Sequence, residues 1–174
     1  MSAIIMNAPL IKKVYVPKYL FVLSRVISST INLLASFTAL LLVMTAMRAE
    51  LHFMSFLFFV PLALLIVFSL GISLMLSAIV VKFRDVMHLY SVFVTALMYL
   101  TPVIYPMSIL PHWMTYVVWA NPITNYLMMF RDVMLNNSVP GLWQLGLGIA
   151  EAVLALVIGL WVFYKKQDEF ILNL

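Results

Sequence analysis

Val26–Met47 runs for 22 residues without a charged side chain, and that stretch constrains the fold more than any other feature of the chain. At ~1.5 Å per helical residue it crosses the ~30 Å hydrocarbon core of a bilayer with some tilt. Two further uncharged stretches follow, Phe53–Val81 and Val86–Phe130, and a last apolar run, Leu142–Tyr164, contains Glu151 as its one charge. Hydrophobic residues make up 66% of the 174 and charged residues 9%. Soluble domains carry about 25% charged residues, so a water-soluble fold of this size could not hide so much apolar surface. The expected class is an all-α polytopic membrane protein.

The few charges sort by side. Lys12, Lys13, Lys18 and Arg25 precede the first run, Lys82 and Arg84 separate the second from the third, and Lys165 and Lys166 follow the last. If each run crosses the bilayer, eight of the ten basic residues share one face, leaving Arg48 and Arg131 on the other. That asymmetry places both termini in the cytoplasm of a multi-pass inner-membrane protein. The net charge of +4 fits anionic lipid headgroups or an acidic patch on a cytoplasmic partner better than nucleic acid, because the basic residues flank membrane runs. The absence of cysteine excludes disulfides, thiol catalysis and Cys-ligated zinc. The N-terminus lacks the pattern of a signal peptide, since its lysines follow the short Ile4-Ile5-Met6 stretch instead of preceding a longer apolar core.

The pattern predicts a single transmembrane domain over residues 1–174. Residues 1–25 form a cytoplasmic segment, with Pro9 and Pro17 bracketing a short basic helix too charged to span. Four spans are expected at about 26–47, 53–81, 86–101 and 142–164. Val86–Phe130 is too long for one helix. Thr101-Pro102, Tyr105-Pro106, Pro111 and Asn121-Pro122 interrupt it, because proline disfavours helix at its own position and at the one before. Residues 102–141 are therefore read as an external segment of short interfacial or re-entrant helices, and 165–174 as a cytoplasmic tail. Irregular backbone at membrane depth requires protein cover or a wet cavity.

Several residues are candidates for function. Ser28, Asn32 and Ser36 share one helical face, as do Ser69, Ser73 and Ser77. Such stripes let helices approach and hydrogen-bond; ordinary packing explains them, and Asn32 is the one that also suits a substrate-lining role. Glu151 lies seven residues after Gln144, ~10 Å below the outer end of its run. An acid at that depth must face the bundle or a wet cavity, either to fix packing or to act. His52, His88 and His112 form no metal-spaced pair. Gly141 and Gly146 have phosphate-loop spacing, but Leu147-Gly148 stands where Lys-Ser/Thr is needed. The chain therefore hydrolyses no nucleotide itself, and energy from ATP would have to come through a partner.

The order of the pieces is more specific than any one of them. A basic segment, Asn7–Lys18, leads into a span. Then come an Arg84-Asp85 turn, Thr-Pro-Val-Ile-Tyr-Pro at 101–106, Leu110-Pro111, Asn121-Pro122-Ile123 and Phe130-Arg131-Asp132. Along essentially its whole length the chain resembles the permease subunits of type-2 ABC exporters, in the branch that exports polysaccharides and polyol phosphates such as O-antigen and teichoic acid. The resemblance implies a permease homodimer above two ABC ATPase subunits, membrane lipids as surroundings, a lipid-linked glycan or polyol-phosphate cargo, and no cofactor or metal. It implies that Lys12, Lys13, Val14 and Tyr15 sit in a coupling helix and Arg84 and Asp85 in a second cytoplasmic contact, the alternative for these charges being lipid anchoring. It implies that Tyr99, Tyr105, Trp113, Trp119 and Tyr126 stack on sugars along the exit path, with Asn32 and Glu151 beside it; the alternative is an ordinary aromatic belt. Such permeases have six spans, and the first two have no counterpart here, as a split gene, a misassigned start or a non-transporting remnant would explain. Export of drugs or small lipids is the runner-up within transport. A secondary carrier would need more buried ionisable groups, and a membrane-embedded enzyme would need clustered His and acidic residues.

Overall fold

The computed structural model describes residues 17, 19–47, 57–83 and 85–167, and of Lys82 the backbone alone. Six α-helices run through them: α1 Tyr19–Ala46, α2 Phe59–Lys82, α3 Val86–Leu100, α4 His112–Trp119, α5 Pro122–Met134 and α6 Leu142–Lys166. A single 3-10 turn, Met107–Ile109, lies between α3 and α4. The described residues contain no strand. The protein is all-helical, as the sequence pattern predicts.

Breakers in the sequence set most of the ends. α1 starts seven residues before the expected Val26, because nothing after Pro17 interrupts a helix; the Leu20 N–H donates to the Pro17 carbonyl at 3.0 Å. Arg25 thus lies inside the helix and not ahead of it. α2 begins at Phe59 and tolerates Pro61 because the missing N–H falls in the first turn. α3 stops at Leu100, since Pro102 forces Thr101 into an extended conformation at φ −75°, ψ 128°. Asn121 caps α5, its Oδ1 accepting the Ile123 N–H at 3.1 Å, and Pro122 occupies the first helical position. Asn137, with φ 48°, turns the chain back after α5; asparagine tolerates that left-handed region. At α6 the Gly141 N–H donates to Gln144 Oε1 at 3.0 Å.

α1, α2 and α6, with 28, 24 and 25 residues, are long and apolar enough to cross a membrane. α3 matches the third expected span, but its 15 residues reach only ~22 Å, less than the ~30 Å core. Large apolar side chains such as Leu42, Val92, Leu154 and Trp161 are exposed along these helices, as suits surfaces solvated by lipid tails. The protein is a multi-pass integral membrane protein.

α2 is the hub, packing along α6 and touching α1, α3 and α5. Near the end that bears Lys82, Lys165 and Lys166, Val22 of α1 joins Leu74, Ala78 and Val81 of α2 and Phe163 of α6 in one apolar cluster. The α2–α6 crossing is made by two glycines. A Cβ on Gly159 would collide with the Gly71 carbonyl, and one on Gly71 would collide with the Ala155–Leu156 backbone. With no hydrophobic drive between helices in lipid, such small residues are what permit close van der Waals contact. The serine stripes behave differently from each other. Ser77 is buried, its Oγ donating to the Leu74 carbonyl at 2.9 Å, whereas Ser28, Asn32 and Ser36 all remain on an exposed face of α1.

Candidate functional site: a groove and a polar seam

The segment between α3 and α6 builds the chemically interesting part of the molecule. α5 is its deepest element, burying Thr124, Asn125, Tyr126, Met129, Val133 and Met134 against α2 and α6. On the α6 side, Asn125 Nδ2 donates to the Gln144 carbonyl at 3.2 Å and to Glu151 Oε2 at 3.4 Å. About two turns of α6 separate those acceptors, and between them the Tyr126 hydroxyl donates to the Gly148 carbonyl at 3.0 Å. Gly148 has no side chain to keep the ring and the amide away; a Cβ would come within 3.3 Å of Tyr126. Glu151, the one acid of the run, therefore faces α5 and not lipid. Two polar atoms of this seam, Thr124 Oγ1 and Asn125 Oδ1, are buried without a partner.

On the other side of α5 runs a groove of about 840 Å³ between α2, α3 and the start of α5. Phe68, Ile72, Phe93 and Leu97 give it an apolar wall, and Ser69, Ser73 and Asn121 are among its few polar residues. At its upper end Asn121 Nδ2 donates to Thr101 Oγ1 at 2.9 Å, tying the α5 cap to the residue where α3 stops. Two further links hold the break in place. The Tyr105 hydroxyl lies within 3.0 Å of the Tyr99 and Leu100 carbonyls, and Arg131 Nη2 donates to the Val103 carbonyl at 3.0 Å.

The candidates named from sequence do not gather at one place. Tyr126 and Glu151 belong to the seam. Tyr105 folds onto the end of α3. Tyr99, Trp113 and Trp119 are 70%, 68% and 42% exposed, against 2% for Tyr126. Asn32 is exposed on α1. None of these seven residues lines the 840 Å³ groove. Asp85 is exposed in the turn ahead of α3, where its carbonyl accepts the His88 N–H at 3.0 Å. Lys12, Lys13, Val14, Tyr15 and Arg84 lie outside the described residues, as do the Arg48–His52 hairpin and most of the tail. The sequence reading missed Asn121, Thr101 and Asn125 as polar anchors. Asn121-Pro122 was visible as a break, but no local pattern shows that its side chain reaches a residue 20 positions away.

Long apolar helices with a broken segment packed back among them define a multi-pass integral membrane protein. The chain belongs to the ABC-2 type transporter family, whose model matches residues 5–135. Two relatives in Klebsiella pneumoniae, both called O-antigen export system permease protein RfbA, are 23% and 26% identical to it over 168 and 170 residues. Each alignment covers 95% of this chain and 64% of the relative. A Myxococcus xanthus protein of the same name is 26% identical over 171 residues, 97% of this chain and 66% of its own length. The chain thus spans somewhat less than two thirds of the length of the Klebsiella relatives.

Proposed function

We propose that this chain is the membrane-spanning permease part of an exporter that moves a polysaccharide or polyol-phosphate polymer, attached to a lipid, outward across the cytoplasmic membrane. The observation that carries the reading is the alignment of 95% of the chain with permeases named for O-antigen export. ATP is hydrolysed by a separate ABC ATPase subunit, and two permease copies form the pathway. Lys12, Lys13, Val14 and Tyr15 receive the ATPase motion, with Arg84 and Asp85 as a second contact. Tyr99, Trp113 and Trp119 supply exposed ring faces for sugars at the outer side, where Tyr105 and Tyr126 hold the surrounding backbone; Asn32 and Glu151 lie along the path. Both termini are cytoplasmic.

Coexpression with an ABC ATPase subunit, followed by reconstitution in vesicles, tests the reading. ATP-dependent movement of a labelled lipid-linked glycan is the expected result. Movement that persists without ATP, or an ATPase that never copurifies, would refute it.

Replacing Lys12 and Lys13 with glutamate in this system is expected to weaken ATPase copurification and to uncouple hydrolysis from transport, while the spans still insert. Unchanged binding and transport would reduce these lysines to lipid anchors.

Orientation has its own measurement. The chain has no cysteine, so single-cysteine variants at 13, 82, 137 and 166 can be labelled with an impermeant maleimide in intact cells. Position 137 is expected to react from outside and the other three only after permeabilisation. External labelling at 166 would overturn the orientation.

A further inference from the structure

A second cavity, of about 310 Å³, lies between α1 and α2. Unlike the groove beside α3, it has a charged rim. Arg25, Ser29 and Thr30 contribute from α1, and Ser69 and Ser73 from α2, among apolar residues of both helices. Hydroxyls inside apolar helices normally donate to their own backbone. Ser24, Ser28, Thr30, Ser36, Thr38 and Thr45 of α1 all do so at 2.7–3.1 Å, as does Ser77 of α2. Ser29, Ser69 and Ser73 make no such bond, and they are the serines that line the cavity. Arg25 likewise has no acceptor among the described residues. Four donors without acceptors therefore surround one space.

Depth narrows what fills it. Arg25 is six residues from the start of α1, ~9 Å along its axis, and Ser73 is nine residues before Lys82, ~14 Å along α2. Both distances run from the same end of the bundle, where Val22 and Val81 pack together and Lys165 and Lys166 close α6. An arginine side chain there reaches the headgroup boundary. The abundant acceptor at that level is a lipid phosphate, whose several oxygens suit a guanidinium fork plus hydroxyls.

We propose that the cavity between α1 and α2 binds the phosphate group of a membrane lipid, with Arg25 as its charge partner and Ser29, Ser69 and Ser73 as hydrogen-bond donors. The site shares Ser69 and Ser73 with the groove beside α3 but adds Arg25 and Ser29 from α1, which the groove lacks, and it does not depend on the nature of the exported cargo.

The test uses the full 174-residue chain in a neutral detergent and native mass spectrometry. Phosphatidic acid is the probe and a diacylglycerol with the same acyl chains is the phosphate-free control. Phosphatidic acid should stay bound and diacylglycerol should not. Arg25→Gln, and separately Ser69→Ala with Ser73→Ala, should each lower phosphatidic acid occupancy by about tenfold, as expected when bonds to a charged group are lost. Ser28→Ala, whose hydroxyl serves its own helix, should leave occupancy unchanged. Size-exclusion profiles confirm that each variant is folded. Equal retention of the two lipids would overturn the proposal. So would loss of binding in Arg25→Gln with none in the serine pair, which is the signature of an arginine that only anchors at the interface. Inorganic phosphate in excess should fail to displace the lipid; displacement would assign the site to the free anion and overturn the lipid assignment.

Discussion

Gly159→Leu is expected to yield almost no correctly assembled protein. The α2–α6 crossing has no room for a Cβ at position 159, because that atom would occupy the place of the Gly71 carbonyl. Overpacking a tight contact costs about 1–3 kcal/mol, and more where rigid backbone instead of a side-chain tip must move. Here both obstacles are backbone, so the helices have to separate along the length over which they pack. Gly71→Leu should behave the same way. Gly146→Ala is the control: nothing lies within 4 Å of a Cβ there, and relief of glycine's conformational freedom should stabilise the helix by about 0.5–1 kcal/mol. Thermal melting in detergent, followed by size-exclusion chromatography, reads all three. A Gly159→Leu variant that melts with the wild type would show that α2 and α6 do not cross at these glycines.

The second large effect is expected at Glu151. Its carboxylate is the partner of Asn125 on the neighbouring helix, and Glu151→Leu removes an interhelical polar contact of ~0.6–2 kcal/mol. Glu151→Gln keeps an acceptor without the charge and should melt close to the wild type. Asn125→Leu also breaks the bond to the Gln144 carbonyl, so it should cost more than Glu151→Leu. In the double variant the losses should fall short of their sum, because the shared bond is counted once. Additive losses would show that the two side chains do not interact. If Glu151→Gln assembles normally yet abolishes transport, the carboxyl takes part in the transport cycle and does more than pack.

The features legible in the sequence were those set by local chemistry. Long uncharged runs gave the membrane class, and Pro102 and Asn121-Pro122 marked where helix must stop and restart. Arg25 misled, because a charge was read as the edge of a span, whereas a helix ends only where its backbone is interrupted. Contacts between distant positions were not legible. Gly71 meets Gly159 and Asn125 meets Glu151 through packing that no periodicity encodes. Glu151 itself could be singled out, since an acid in an apolar run demands a partner, but nothing local identifies that partner. The same limit applies to Ser69 and Ser73. They share a stripe with Ser77, yet only Ser77 is bonded to its own helix, and that difference depends on what lies opposite.

The shortness of α3 has a consequence for the membrane itself. A helix of 15 residues leaves ~8 Å of a ~30 Å hydrocarbon layer unspanned. If α3 crosses, lipids next to it must compress, because Thr101 and Asn121 beyond its end are buried and bonded to each other. Thinning costs fractions of a kcal/mol per Å, so a shortfall of this size stores elastic energy in the surrounding lipid. That energy is lowest in short-chain bilayers and rises with acyl length. A chain in which α3 crosses would therefore favour thin membrane, with the effect concentrated along the side where α3 meets lipid.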